Sequence, residues 1–252
     1  MVRTLIAAGI GLASGLASGA FGIGGALLST PGIRWALDAP ALVAVGTTLP
    51  VIIPTAITGL FAYVRGGFVD RRFAAVAALS GGTFAVLGAL TTKLVAGEAL
   101  LVATAVLILI LSIRMLPSAA PERPRLVRAS MPVFLIVGAV SGFVAGVLGV
   151  GGGVILVPVL TVVLRFPVKT ALGTSLAVVA AQAVPGTITH SLLGNIDWRI
   201  AAGLAIGVIP GARIGSRWAV AAEDKRLRTI VAIAMGVLAL AFGVTELRAW
   251  LG

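Results

Sequence analysis

Apolar stretches of about 20 residues recur along the whole of this 252-residue chain. The hydrocarbon core of a bilayer is about 30 Å thick, so a helix of that length crosses it. Hydrophobic residues make up 59% of the chain and charged residues only 11%. A soluble domain carries about a quarter charged residues. The sequence therefore predicts an all-α polytopic membrane protein.

The net charge of +11 comes from 19 lysine and arginine residues against 8 acidic ones. Membrane proteins concentrate basic residues in their cytoplasmic loops, and no basic run with interleaved aromatic residues appears here. We therefore expect the lipid bilayer, and not nucleic acid, to be the partner of this charge. The lack of cysteine excludes disulfides and thiolate metal sites, and nothing in the sequence predicts a cofactor or a metal ion.

The chain contains one unit twice. Shifted by 127 residues, its two halves align without a gap from Gly11 to Gly88, with glycine, proline, threonine and aspartate falling on their counterparts. Apolar composition alone aligns aliphatic residues but not this series. We therefore predict two homologous repeats, at 1–116 and 132–252, joined by a polar linker rich in proline and arginine at 117–131.

A glycine-interrupted apolar segment begins each repeat, reading "GAFGIGGALLSTP" at 19–31 and "GVLGVGGGVILVP" at 146–158. Secondary transporters are commonly built from internal repeats with interrupted helices at corresponding positions. Three longer apolar stretches, predicted to be transmembrane helices, follow each segment, near 41–64, 72–93 and 97–115 and near 168–192, 199–220 and 227–250.

The glycines of the two interruptions are candidate ligands for an anion. A helix broken inside a membrane exposes N–H groups at the start of its second piece, and protein, water or a ligand must satisfy them. That end carries partial positive charge, and glycine permits positive φ and close approach. The alternative is that these glycines let neighbouring helices pack closely. The candidates are Gly22, Gly24, Gly25, Gly149, Gly151, Gly152 and Gly153.

A valine at Gly152 is accordingly expected to abolish binding, because of its bulk and because it disfavours positive φ. Hydroxyl side chains at matching positions are further candidates: Thr47 and Thr48 correspond to Thr174 and Ser175. Such hydroxyls either bond back to a carbonyl four residues earlier or donate to the anion. Gln182 is a polar group in mid-span that needs a partner, and it is a candidate for lining the pathway.

His190 is the only histidine, and Tyr63 is its counterpart in the first repeat. A titratable group near a substrate path suits proton coupling, which makes these two residues candidates for coupling. The alternative is an interfacial hydrogen bond. Asp70 and Asp197 precede apolar runs and are predicted to cap the helices that follow.

The distribution of basic residues predicts how the repeats lie in the membrane. Four straight spans in each half make the repeats parallel and divide the basic residues 10 to 9 between the two sides. Hairpins at the interruptions make the repeats inverted and divide the basic residues 14 to 5, as the positive-inside rule favours. We therefore predict inverted repeats, with both termini outside the cytoplasm. The predicted hairpin arms lie near 3–19 and 25–37, and near 132–146 and 153–166.

Arms of about 15 residues reach about 22 Å, which is short of a full span but deep enough for the two breaks to meet at mid-membrane. The glycines would then turn the chain inside the membrane and direct helix N-termini at a substrate.

With these residues in view, the chain resembles the sulfite exporter TauE/SafE family of bacterial membrane proteins. The resemblance covers essentially the whole chain and implies transport of small sulfur-containing anions, such as sulfite, thiosulfate, sulfonates and sulfoacetate. In the first repeat, Ala26 replaces the last glycine of the triplet and Tyr63 replaces the histidine. The motifs that carry the resemblance are "GVGGG" with its downstream proline (149–158), "ALGTSL" (171–176), "HSLLGNIDWR" (190–199) and "PGARIGSRW" (210–218).

These observations predict a secondary transporter in the cell (inner) membrane that exports a small anion held between the helix N-termini of the two repeats. A passive anion channel with the same binding site remains an alternative. Saturable, proton-sensitive flux favours the transporter, and conductance without coupling favours the channel. An enzyme is disfavoured, because one histidine, no cysteine and few buried carboxylates leave little from which to build a catalytic pair or metal site.

Overall fold

The computed structural model describes residues 2–91, 106, 109–110, 112–113, 130–149 and 151–251, and every regular element in these ranges is helical. The prediction of an all-helical chain is confirmed. The stretch predicted at 97–115 and the linker at 117–131 lie almost wholly outside the described residues. The first half contains α1 (Val2–Phe21), α2 (Ala26–Ala36), α3 (Ala41–Arg65) and α4 (Arg71–Thr91). The second contains α5 (Met131–Leu148), α6 (Gly153–Pro158, continued by the π-helical Val159–Val163), α7 (Val168–Leu192), α8 (Trp198–Ala221) and α9 (Asp224–Leu251).

Five of the described helices are long and apolar enough to cross a membrane, judged by length and composition. They are α1, α3, α4, α5 and α7. Helix α8 is as long, at 24 residues, and carries three arginines. These helices indicate a multi-pass membrane protein.

Glycine turns separate α1 from α2 and α5 from α6. Gly25 has φ +84° before α2, and Gly149 has φ +60° after α5. This left-handed backbone ends a helix, and glycine adopts it without the steric cost that a Cβ brings. The first arm of each hairpin was predicted too short, because α1 has 20 residues and α5 has 18. The helices continue past Gly19 and Gly146 and stop only at the next glycine, where φ becomes positive.

After the first turn the chain runs back along α1. The Ser29 hydroxyl donates to Ser14 Oγ at 2.9 Å, and a Cβ built on Gly32 would lie 2.8 Å from the Ile10 side chain. Helix α2 is therefore antiparallel to α1, and we call this pair the first hairpin. We call α5 and α6 the second hairpin.

Two helices of 25 residues, α3 and α7, cross at the centre of the molecule. A Cβ on Gly186 would lie 3.5 Å from the Leu49 side chain, and one on Gly59 would lie 3.2 Å from Leu176. From the first of these contacts to the second, the residue number rises from 49 to 59 in α3 and falls from 186 to 176 in α7. The two helices are therefore antiparallel.

The first helix of each hairpin packs most extensively on a helix of the other half: α1 lies against α8, and α5 lies against α4. Gly15 faces the backbone of Val208, and Gly142 faces the backbone of Gly81. Small residues allow this close approach of membrane helices. Close helix packing is thus a role of the glycines along α1 and α5, before each turn begins.

Candidate functional site

The two glycine turns, at 22–25 and 149–153, touch each other in the middle of the molecule. A Cβ on Gly151 would lie 3.4 Å from the carbonyl oxygen of Ile23. A Cβ on Gly24 would contact Ile52 and Val179, which stand near mid-length in α3 and α7. The seven candidate glycines therefore belong to one region, where the crossing of the central helices meets both hairpins.

Backbone conformation divides these glycines into two groups. Positive φ occurs at five of them: Gly22, Gly24, Gly25, Gly149 and Gly151. Gly152 has φ −60° and precedes α6, which begins at Gly153. The expectation of positive φ at Gly152 is therefore wrong. A side chain there is opposed instead by the Ser141 carbonyl oxygen, which would lie 2.7 Å from its Cβ.

Several backbone N–H groups of the turns have no partner. Within the part of the chain that the structure describes, those of Ile23, Gly24 and Gly25 donate no hydrogen bond, and neither do those of Gly151 and Gly152. An unpaired N–H inside a membrane is costly unless water or a ligand accepts from it. Because α2 begins at this point, its N-terminal partial positive charge adds to these donors. The arrangement suits an anion.

Thr48 and Ser175, at corresponding positions, hold the two turns in place. The Thr48 hydroxyl lies 2.9 Å from the Gly149 carbonyl oxygen and 2.8 Å from that of Val45 on its own helix, so its one proton is shared between them. The Ser175 hydroxyl donates to the Gly22 carbonyl at 2.9 Å. The bonds to Gly149 and Gly22 each join a central helix of one half to the glycine turn of the other. In this arrangement both hydroxyl protons are engaged by backbone carbonyls, so these side chains position the turns.

Thr47 and Thr174 form a second reciprocal pair of bonds between the halves. Thr47 Oγ1 accepts from the backbone N–H of Asp197, and Thr174 Oγ1 accepts from that of Asp70, both at 2.9 Å. The Asp70 carboxylate accepts from the Phe73 N–H at 2.8 Å, and the Asp197 carboxylate accepts from two N–H groups at the start of α8. The predicted helix caps are confirmed. The two threonines tie each central helix to the capped loop of the other half.

Tyr63 and His190 make equivalent bonds within their own halves. The Tyr63 hydroxyl donates to the Gly19 carbonyl at 2.9 Å, and His190 Nε2 lies 3.1 Å from the Gly146 carbonyl oxygen. A carbonyl oxygen only accepts, so Nε2 carries the proton in this bond. Both side chains are fully buried and join a central helix to the first helix of its hairpin. The coupling role of these two residues stays a prediction.

Gln182 is buried against the second hairpin. Its Nε2 donates to Ser141 Oγ at 3.0 Å. Its Oε1 has no hydrogen-bond partner among the described residues, and a Cβ on Gly152 would lie 2.6 Å from it. The amide therefore occupies the space beside the second turn, and its predicted place on a substrate pathway stays a prediction.

Three serines against the first turn were missed by reasoning from sequence. Ser14, Ser18 and Ser29 are all buried beside the start of α2. The repeat alignment held a usable signal, because Ser18 and Ser29 correspond to Ala145 and Leu156. A hydroxyl retained at a buried position where the other copy is apolar needs a reason.

Comparison with known proteins gives the family. The model of the family "Sulfite exporter TauE/SafE" matches residues 7–242. The chain belongs to this family. It is 26% identical to the probable membrane transporter protein YunE of Bacillus subtilis (strain 168), over 92% of this chain and 93% of the relative.

Two further relatives of the TauE/SafE chain have similar names. A probable membrane transporter protein of Xylella fastidiosa (strain 9a5c) is 30% identical, over 84% of this chain and 83% of its own length. The probable membrane transporter protein MJ0441 of Methanocaldococcus jannaschii is 23% identical, over 92% of each chain. No solved structure matches. The family and these names indicate a membrane transporter.

Proposed function

We propose that this TauE/SafE chain is a secondary transporter that exports a small sulfur-containing anion, such as sulfite, thiosulfate or an organosulfonate. The anion binds where the two glycine turns meet. The observation that carries the proposal is the group of backbone N–H donors at Ile23–Gly25 and Gly151–Gly152 that have no acceptor among the described residues. Such donors satisfy an anion in a region of low polarity without a buried lysine or arginine.

We further infer that 1–116 and 132–252 are inverted repeats in the cell membrane. Inverted repeats require corresponding helices to run in opposite directions, and α3 and α7, which correspond at a shift of 127 residues, are antiparallel. A Cβ on Gly203 would contact Ala7 and Thr4, so α1 and α8 begin at the same end of the molecule. Arg3 therefore lies at the same end as Arg199, as the 14-to-5 division of basic residues requires. That division supports an orientation with both termini outside the cytoplasm.

The bonds between the halves give transport a structural basis. Rocking of one half against the other displaces the two turns relative to each other, because Thr48 and Ser175 join each turn to the opposite half. An anion that accepts from N–H groups of both turns stabilises the state in which they touch. Its release on the other side of the membrane then accompanies their separation.

Counterflow into proteoliposomes tests this function. Vesicles containing the purified protein are preloaded with unlabelled sulfite, thiosulfate, sulfoacetate, taurine, sulfate or chloride, and uptake of labelled sulfite and thiosulfate is followed. A transporter shows saturable uptake that the preloaded substrate accelerates. Flux that does not saturate and shows no acceleration supports the passive channel, and the absence of flux for every anion in the panel contradicts the proposal.

A further inference from the structure

The two hairpins differ in polarity at equivalent buried positions. Ser18 and Ser29 of the first hairpin correspond to Ala145 and Leu156 of the second, and all four are buried. A buried hydroxyl has a desolvation cost that a methyl or an isobutyl group does not have. The first hairpin therefore carries a polar cluster that the fold of the second hairpin does without.

This cluster surrounds the start of α2. The Ser29 hydroxyl lies 2.9 Å from Ser14 Oγ and 3.2 Å from the Gly25 carbonyl oxygen. A Cβ on Gly25 would lie 3.4 Å from the Ser18 Cβ and 3.5 Å from the Thr55 methyl group. We call Ser14, Ser18 and Ser29 the hydroxyl cluster. It borders the N–H groups of Gly24 and Gly25, which donate to no described residue.

Ser18 is the member of the cluster whose hydroxyl makes no hydrogen bond to a described residue. Its side chain is completely buried, and its Oγ has no hydrogen-bond partner among the described residues. A buried hydroxyl without a partner is destabilising, whereas an alanine in its place removes that cost. Ser18 stands beside Gly25, so its free donor and the free N–H groups of the turn serve one region.

Beside the second hairpin, a side chain of α7 fills the equivalent space. Gln182 corresponds to Thr55, and its amide lies against Gly152 and donates to Ser141, the counterpart of Ser14. Thr55 is shorter than Gln182, and its hydroxyl donates back to the Val51 carbonyl, so only its methyl group faces the turn. The first hairpin thus presents hydrogen-bond donors at the place where, beside the second hairpin, the Gln182 amide lies.

From this asymmetry we infer that the hydroxyl cluster and the N-terminus of α2 form an oxyanion subsite, and that the first hairpin, not the second, adds side-chain donors to the backbone N–H groups of the two turns. Ser18 donates its free hydroxyl to one oxygen, and the N–H groups of Gly24 and Gly25 donate to another. Neutral donors in several directions match the separate oxygens of a sulfite-like or sulfate-like group better than a single spherical halide. This inference rests on the proposed function and assigns its binding groups.

Binding of sulfite, thiosulfate and chloride to the purified full chain, measured by isothermal titration calorimetry in detergent, tests the subsite. Ser18→Ala is expected to weaken sulfite and thiosulfate binding at least about tenfold, since a hydrogen bond to a charged acceptor is commonly worth that factor or more. The thermal unfolding midpoint without ligand is expected to stay the same or rise, because the hydroxyl has no partner in the part of the chain that the structure describes. A merely structural role for Ser18 would move stability and not affinity.

Two further variants make the test specific. Ser216→Ala is the matched control, because Ser216 is a buried serine on α8 whose hydroxyl already donates to the Arg213 carbonyl on its own helix. Its affinity should equal that of the wild type. Thr55→Gln introduces on α3 the side chain found at the corresponding position of α7, and it should abolish binding by occupying the subsite.

The outcomes separate the two proposals. Wild-type binding of sulfite or thiosulfate that Ser18→Ala leaves unchanged overturns the subsite and leaves the transport function standing. Chloride binding as tight as sulfite binding contradicts an oxyanion subsite. Failure of the wild type to bind or transport any of the probes overturns the proposed function together with the subsite.

Discussion

Gly15 and Gly9 lie on the same helix, α1, but only Gly15 touches another helix. A Cβ on Gly15 would lie 2.8 Å from Val208 Cα and 2.9 Å from the Ala212 nitrogen, whereas a Cβ on Gly9 would meet nothing within 4 Å. The Val208 carbonyl oxygen would lie closer still. Ordinary contact begins at 3.4 Å, so Gly15→Ala forces α1 and α8 apart by at least about 0.6 Å, the difference from 2.8 Å. Backbone atoms cannot move aside as a flexible side chain does.

The magnitude follows from two opposing effects. Overpacking of this kind typically costs about 1–3 kcal/mol. Replacing glycine by alanine in a helix raises the free energy of unfolding by about 1 kcal/mol through helix propensity. We expect Gly15→Ala to lower the free energy of unfolding by up to about 2 kcal/mol, and Gly9→Ala to leave it unchanged or raise it by up to about 1 kcal/mol.

Unfolding of the purified variants in detergent micelles, followed by circular dichroism against denaturant, measures this difference. The paired design cancels changes in helix propensity, because both substitutions are glycine to alanine on one helix. Equal effects of the two substitutions would refute the close packing of α1 on the helix of the other half.

Two further predictions concern bonds around the glycine turns. Thr48→Val should lower the free energy of unfolding by about 1 kcal/mol and weaken sulfite binding, because it leaves the Gly149 carbonyl without its donor; unchanged unfolding and calorimetric titration would show that the bond does not hold the turn. His190→Gln should flatten the pH dependence of sulfite flux if the imidazole carries a proton. Counterflow between about pH 5.5 and pH 8, a range that includes the ordinary pKa of histidine, measures this. Full flux with an unchanged pH profile would leave His190 with the bond to Gly146 as its role.

The sequence was sufficient to predict the helical class, the positions of both glycine turns and the caps at Asp70 and Asp197. These depend on local signals: glycines at fixed spacing, apolar length, and an aspartate just before an apolar run. The arm lengths were wrong because a glycine inside a membrane helix does not end it unless the backbone reaches positive φ. Gly19 is such a residue, because it lies inside α1 and packs against Ala212 of α8.

The partners of the predicted polar residues depended on tertiary structure. Thr48 and Ser175 were recognised as a pair, but their acceptors lie in the opposite half, 101 and 153 residues away. No spacing rule gives such a partner. Ser18 was missed because a serine in an apolar helix ordinarily bonds to its own backbone. Only the three-dimensional arrangement shows that its hydroxyl has no such partner.

The inverted arrangement of the two halves is the claim on which the transport account depends, and side-specific labelling of one matched pair tests it most directly. Arg72 and Arg199 correspond at a shift of 127 residues, are both exposed, and follow the capped loops before α4 and α8. The chain has no cysteine, so Arg72→Cys and Arg199→Cys each provide a single thiol and each remove one positive charge. An impermeant thiol reagent added to intact cells should label the Arg199→Cys variant and spare the Arg72→Cys variant, which should react only after the membrane is opened. Labelling of both variants from the same side would contradict the inverted repeats and restore a parallel arrangement.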